Sequence, residues 1–363
     1  MFLNKMKRRA SISIYIFAFL ILSFLNSCTE MNAASLQKTF DNAVKQPYIY
    51  EAVLYVENSN GDFSENFGYS GRDIDSPMLT ASVGKLFTTT CILSLCEEGI
   101  LSLEDKLTKF FNEEQLKGLH VFKGIEYSFD LTISDLLFQT SGLPNTSRTM
   151  SDEDAYFNFD ERFDAIKLIK PHFAPNTKNA YYANINFFIL GEILERITGT
   201  PLADVYKQKI FSPLGMNNTY LPVSENEHIP SFYNGSQKIH RPMNIITAGA
   251  AGGFVSTPRD LMIFIKAFWE GKLFKKELFD KLAVYKKLEP YFGPAYYGGG
   301  YMRISSEGIY SLFMGKGEII GHSGVTGSFA YYHPQKDMYY VGDFCQLIKP
   351  SAPYMMLMKL TKQ

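Results

Sequence analysis

Ser82-Val83-Gly84-Lys85 places a hydroxyl and an amine three residues apart. On a helix that spacing puts both side chains on one face, one turn apart. A serine hydroxyl is a weak nucleophile until a base takes its proton. Lysine is such a base only where its surroundings favour the neutral amine, because its reference pKa is about 10.4. A helix start also offers free N–H groups that can stabilise an oxyanion. The same spacing fits a helix cap followed by a solvated lysine, and Ser35-Leu36-Gln37-Lys38 matches it equally well. Context separates the two. Apolar Leu86, Phe87, Ile92 and Leu93 follow Lys85 and mark a buried helix.

Two further segments carry chemistry. In Tyr182-Ala183-Asn184 a phenol beside a Ser–Lys pair can relay a proton, and the amide can bond a substrate amide. The alternative for this segment is capping of a helix start, and Tyr156-Phe157-Asn158 repeats its pattern. The Tyr182 segment is preferred because it follows Phe173-Ala174-Pro175 and runs into an apolar helix. His322-Ser323-Gly324, followed by Val325-Thr326-Gly327, offers an imidazole and a hydroxyl beside glycines that let a substrate backbone approach. Alone it also reads as a turn between strands with a satisfied histidine.

The elements expected to position these residues fall into two groups. Tyr48 to Glu57 and Phe63 to Tyr69 read as a β-hairpin around a turn at Asn58 to Asp62. Ser82 to Glu98 reads as a helix stopped by Gly99. Ser134 looks like a cap before Asp135-Leu136-Leu137, and Phe187 to Ile197 has helical spacing ended by Gly199. Thr257-Pro258-Arg259-Asp260 is a helix start, with Thr257 as the cap, Pro258 at the first helical position and Asp260 completing a box-like pair; Leu261, Phe264, Ile265 and Phe268 are its apolar stripe and Gly271 its stop. Strands are expected at Tyr310 to Phe313, Phe329 to His333 and Met338 to Phe344, and a final helix at Pro353 to Thr361. Strands near both ends with helices between them predict an α/β (α+β) lobe from residues 46–110 and 245–363, with a helical lobe at 111–244.

The amino terminus reads as an address. Lys5, Lys7, Arg8 and Arg9 precede an apolar run from Ala10 to Leu25 that is short for a membrane span and fits a signal peptide. The run ends in Leu25-Asn26-Ser27-Cys28, which resembles a bacterial lipobox with Cys28 as the lipidated residue. An uncleaved single-span anchor is the alternative. Residues 28–45 are then expected to tether the folded part to a membrane of the bacterial cell envelope. Residues 1–27 hold four positive and no negative charges, so the chain from Cys28 onward is mildly acidic. The whole chain has 36 Lys+Arg against 37 Asp+Glu, with no basic run beyond the first few residues, so no nucleic-acid partner is expected. Four Cys without a CxxC pair argue against a zinc domain, and Cys91, Cys96 and Cys345 read as core residues.

In order, S-x-x-K, Y-x-N and H-S-G resemble the serine β-lactamase-related hydrolases. That family includes class C β-lactamases, penicillin-binding D,D-peptidases, D-aminopeptidases and esterases. Three longer stretches are similar to it as well: Leu131 to Leu137 running to Thr140-Ser141-Gly142-Leu143-Pro144, Phe211-Ser212-Pro213-Leu214-Gly215-Met216, and Gly252-Gly253-Phe254-Val255-Ser256-Thr257. The resemblance implies an antiparallel sheet flanked by helices, plus an all-helical lobe, with the site between them. It implies Ser82 as acylated nucleophile, Lys85 and Tyr182 as proton-transfer groups, and Asn184 on the acyl-side amide. It also implies an oxyanion hole from the N–H groups of Ser82 and Val325, with His322, Ser323 and Gly324 lining the leaving-group side. No metal or organic cofactor is implied.

Two positions depart from the pattern. Class C β-lactamases carry Lys where this chain has His322, which is mostly neutral near neutral pH. Gln139 stands where many relatives show His. The expectation is a lipid-anchored serine hydrolase acting on a small-molecule or peptide substrate, with a peptidoglycan-derived peptide as one candidate, as a D-amino-acid peptidase or an esterase. A β-lactamase proper and a non-catalytic ligand-binding lipoprotein on the same fold are the alternatives.

Overall fold

The computed structural model describes residues 31–145, 159–289, 294–306, 311, 315–348 and 351–363. The signal peptide, Cys28, the Tyr156 segment and most of the strand expected at Tyr310 to Phe313 lie outside the described residues. Chain order gives α1 (Ala33–Val44), β1 (Ala52–Asn58), β2 (Ser64–Tyr69), α2 (Lys85–Glu97), α3 (Ile133–Leu137) and α4 (Phe159–Lys167). Then come β3 (Ala180–Tyr181), α5 (Asn184–Thr198), α6 (Pro258–Trp269), β4 (Lys286–Glu289), β5 (Ala295–Tyr297) and β6 (Met302–Ser305). The chain continues through β7 (Glu318–Ser323), β8 (Phe329–His333), β9 (Met338–Asp343) and α7 (Ser351–Leu360). Among the described residues no helix is long and apolar enough to cross a membrane.

Nine strands form one sheet in the order β2-β1-β9-β8-β7-β6-β5-β4-β3. Neighbours pair antiparallel except at the end, where β3 runs parallel to β4. Successive side chains of a strand point to opposite faces, and the central strands obey this residue by residue. On β9, Met338 and Tyr340 pack with α1 and α7, whereas Tyr339 and Val341 pack toward α6. On β1, Leu54 and Val56 face the first side and Tyr55 the second. Because helices cover both faces, every residue of β9 is buried.

The stretch expected to be a tether is mostly helix. Asn32 caps α1 by accepting from Ser35 N at 3.0 Å, and the Ser35 hydroxyl accepts back from Asn32 N. Leu36, Phe40, Ala43 and Val44, spaced one helical face apart, are buried against α7 and the sheet. Burial of that stripe holds the segment, and residues 33–44 belong to the α/β lobe.

Other expectations shift in detail. The cap of α3 is Thr132, not Ser134: Thr132 Oγ1 accepts from Asp135 N at 3.1 Å and the Asp135 carboxylate accepts from Thr132 N at 3.0 Å. Helix α5 ends at left-handed Gly199 as expected. Thr257 caps α6 with Pro258 at the first helical position. The Asp260 carboxylate does not complete the box; it accepts from Asn218 N and the Thr219 hydroxyl. The lobes are not cleanly separable. One hydrophobic core joins Leu86 and Phe87 of α2, Phe187 and Leu190 of α5, and Phe264 and Phe268 of α6.

Candidate active site

Ser82, the expected nucleophile, sits on a strained turn. Met78 and Leu79 pair with Ser256 and Val255, and Thr80 N donates to Phe254 O at 3.0 Å. Ala81 then adopts φ +44, a conformation that side-chain-bearing residues avoid. Residues Ala81–Gly84 form a 3-10 turn, and α2 begins at Lys85. Ser82 therefore lies in the turn before the helix rather than inside it. At that position its N–H precedes any intrahelical acceptor. Gly252 makes the turn possible: a Cβ there would lie 2.4 Å from Ala81 O.

Lys85 is fully buried, which is rare for lysine. Its Nζ lies within hydrogen-bond reach of three oxygens: Ser82 Oγ at 3.1 Å, Asn184 Oδ1 at 2.9 Å and Ala251 O at 2.5 Å. It also lies 5.1 Å from the centre of the Tyr182 ring and 5.4 Å from that of Phe187. Removal from water pushes the Lys85 pKa well below the ordinary lysine range. The amine is thus biased toward the neutral form while touching the serine oxygen.

Tyr182 and Asn184 arrive together at the junction of β3 and α5. The junction is anchored at successive residues. Tyr181 N donates to Gln139 O at 2.8 Å and Tyr182 N to Glu289 O at 3.0 Å. Ala183 N donates to Gln139 Oε1 at 2.9 Å, and Asn184 N reaches Asn145 Oδ1 at 3.5 Å. The Tyr182 ring packs at 6.0 Å from Tyr297 and 5.9 Å from His322.

His322 and Ser323 close β7, and Gly324 follows. The structure brings His322 to the site but buries it, at 1% exposure. Nδ1 lies 2.8 Å from Ser323 O and Nε2 3.4 Å from the Tyr297 hydroxyl. Burial first, with any positive charge on Lys85 acting the same way, pushes its pKa down to about 3, against the opposing pull of the Ser323 carbonyl. The ring is neutral, and it supports the wall of the cleft rather than forming it. Ser323 is half-buried, with its hydroxyl 2.8 Å from that of Tyr331. Gly324 has no room for a side chain: a Cβ would lie 2.1 Å from Ser328 Oγ. Ser328 Oγ donates to Thr80 O at 2.7 Å, tying this loop to the turn that carries Ser82. Val325 follows, 60% exposed.

The structure therefore gathers Ser82, Lys85, Tyr182, Asn184 and His322 at one place, with Ser323, Gly324 and Val325 on the adjoining loop. The sequence reading missed Ala251, Tyr297 and the contacts of Gln139. Ala251 acts through its carbonyl, which leaves no side-chain signal; its neighbours Gly252 and Gly253 were the available clue. Among the described residues no group of three or more His, Cys, Asp or Glu is placed to hold a metal. Cys91, Cys96 and Cys345 are free thiols, the first and last buried.

A short helical turn carrying serine, a buried lysine and a Tyr-x-Asn junction at the edge of one sheet define the β-lactamase/transpeptidase-like fold. A family model described as Beta-lactamase matches residues 52–342, and the chain belongs to that family. It is 29% identical over 200 residues to penicillin-binding protein 4* of Bacillus subtilis (strain 168), covering 51% of this chain and 40% of that one. It is 25% identical over 210 residues to the D-alanyl-D-alanine-carboxypeptidase/endopeptidase AmpH of Escherichia coli (strain K12), covering 56% of this chain and 51% of that one. Both matches span about half the length of those relatives or less. D-amino acid amidase from Ochrobactrum anthropi SV3 shares the fold, with a TM-score of 0.73, 19% identity, and coverage of 91% of this chain and 98% of that one.

Proposed function

We propose that this protein is a serine hydrolase that cleaves an amide or ester through an acyl-enzyme on Ser82. The observation that carries the proposal is the fully buried Lys85, its Nζ 3.1 Å from Ser82 Oγ. In the neutral form that amine accepts the hydroxyl proton as Oγ attacks the substrate carbonyl carbon. The carbonyl π electrons move to oxygen, where the N–H groups of Ser82 and Val325 receive the negative charge. Collapse of the intermediate breaks the bond to the leaving group, and the proton held by Lys85 passes to it through Tyr182. Water then attacks the ester in the same manner and regenerates the hydroxyl. Asn184 fixes Lys85 through Oδ1 and has its amide N–H groups available for the acyl side of the substrate.

His322 narrows the substrate. A neutral, buried imidazole supplies no positive charge for a carboxylate beyond the scissile bond. The reading is therefore an amidase, aminopeptidase or esterase for substrates whose leaving group is uncharged, in preference to a β-lactamase. The names of similar proteins, a D-amino acid amidase and a D-alanyl-D-alanine carboxypeptidase among them, support a D-configured amide as the first substrate to try. We further propose export and lipid attachment at Cys28; radiolabelled palmitate incorporation that survives Cys28→Ala would sink that part.

The test is intact-protein mass after exposure to a fluorophosphonate and, separately, to a penicillin, with Ser82→Ala alongside. A fluorophosphonate adduct that depends on Ser82 is expected. A long-lived penicillin adduct would shift the assignment to a penicillin-binding peptidase, and penicillin turnover to a β-lactamase. Absence of any Ser82-dependent adduct would leave a non-catalytic binding protein.

A further inference from the structure

Gln139 is fully buried at the end of α3 and holds φ +59. Non-glycine residues occupy that region at a cost, and such strain persists where the surroundings enforce it. Here the surroundings are the segment that carries Tyr182 and Asn184. The Gln139 main-chain oxygen accepts from Tyr181 N at 2.8 Å. Its side-chain Oε1 accepts twice, from Ala183 N at 2.9 Å and Asn186 Nδ2 at 2.5 Å. Asn186 Oδ1 in turn accepts from Ser141 Oγ at 2.7 Å. Gln139 thus bonds the residue before Tyr182, the residue after it, and the second residue of α5 beyond Asn184. Its Nε2 is buried and has no partner among the described residues, so the acceptor is the part of the amide in use.

We propose that Gln139 is a positioning residue that sets the Tyr182 phenol and the Asn184 amide relative to Lys85. The proposal rests on the roles assigned above to Tyr182 and Lys85. Ala183 precedes the first turn of α5 in an extended conformation, and no side chain of its own caps the helix. Gln139 Oε1 takes the N–H of Ala183, the bond that the side chain of the third helical residue supplies in a capping box, and it does so from another element. Without it, the buried Ala183 N–H and the Asn186 amide both lose their acceptor, and a buried donor left unpaired drives the backbone to find another. Rotation of the 182–183 peptide swings the phenol away from Lys85 and disturbs the 2.9 Å contact between Nζ and Asn184 Oδ1. A displacement of about 1 Å in such a group costs on the order of 100-fold in rate.

The experiment measures kcat/KM for p-nitrophenyl acetate, with thermal midpoints as a control, for Gln139→Met, Gln139→Glu, Tyr182→Phe and Gln139→Met/Tyr182→Phe. Gln139→Met keeps the length and removes the acceptor; a fall of roughly 30- to 100-fold is expected. Gln139→Glu keeps an oxygen acceptor for both N–H groups and is expected to stay within about five-fold of wild type, a rescue that length alone does not supply. In the Tyr182→Phe background, Gln139→Met is expected to add less than about a three-fold loss, because the phenol is gone and only the Asn184 amide is left to displace. A folded Gln139→Met within two-fold of wild type overturns the proposal, and so does a loss that multiplies fully with that of Tyr182→Phe. If Gln139→Met does not fold, Gln139→His, which offers one ring nitrogen, takes its place. It must then show an intermediate loss that disappears in Tyr182→Phe; no loss, or a multiplying one, overturns the proposal equally. Wild-type rates for Tyr182→Phe itself would instead remove the assignment on which Gln139 depends.

Discussion

Two helices of this protein begin with the same spacing, Ser35-Leu36-Gln37-Lys38 in α1 and Ser82-Val83-Gly84-Lys85 at the head of α2. In α1 the serine hydroxyl is occupied by local bonds to Asn32 and to the Gln363 side chain, and Lys38 is exposed. At the head of α2 the lysine is fully buried and its three hydrogen-bond partners come from three separate segments. Spacing places the two groups near each other; a dry environment built by distant parts of the chain makes the amine able to take a proton. The motif is thus tied up in hydrogen bonds in one setting and, on the proposed function, poised for proton transfer in the other.

The largest effect should come from the nucleophile. Ser82→Ala is expected to lower kcat/KM for any ester the protein cleaves by at least about 1,000-fold, whereas Ser35→Ala should stay within two-fold. A large loss from Ser35→Ala would erase the contrast. The second effect concerns stability. Phe40→Ala should cost about 3–5 kcal/mol of unfolding free energy in a denaturant titration, as for a large side chain removed from a packed core. A change below 0.5 kcal/mol would restore the tether reading of this stretch.

A third test compares the two lysines as pH changes. An unfolded chain keeps a proton on lysine up to about pH 10.4, while folded Lys85 releases it at lower pH because burial disfavours the charge. Between those values the unfolded state binds more protons, so stability rises with pH. Wild type should therefore gain on Lys85→Met as pH is raised from 6 to 9, with a slope no steeper than about 1.4 kcal/mol per pH unit. Lys38→Met should show no such slope, and a flat difference for Lys85→Met would mean the amine stays charged. The smallest expected change is at the α1 cap, where Asn32→Ala should cost about 1 kcal/mol and leave activity intact.

How far the sequence could be read follows from where the information lies. Ser82, Lys85, Tyr182, Asn184 and His322 sit in short contiguous motifs that resemble one family, so they were recoverable together. Strands β8 and β9 and helices α5 and α6 show clean periodicity and clear caps. Helix α1 carried its signal too, in Leu36, Phe40, Ala43 and Val44, but polar neighbours hid it beside an expected lipid anchor. The Thr132–Asp135 box was equally visible and lost to the nearer Ser134. Strands β4, β5 and β6 were missed because each spans three or four residues between glycine-rich or irregular segments, too short for alternation to register. The contacts of Ala251 and Gln139 were beyond reach, since a carbonyl partner and a long-range amide acceptor leave no pattern along the chain.

A cleft between two lobes usually suggests a hinge. Here the segment bearing Tyr182 enters the cleft from β3, which is the terminal strand of the same sheet whose β7 carries His322. Leu288 pairs with Ala180 and Glu289 with Tyr181, so both walls of the cleft hang on one continuous ladder. Opening the lobes as rigid bodies would tear that ladder at its parallel end. The candidate cleft is accordingly braced by a two-residue pairing at the sheet edge, and the amide hydrogens of Tyr181 and Tyr182, which donate to Gln139 O and Glu289 O, should exchange with solvent more slowly than those of the loops beside them.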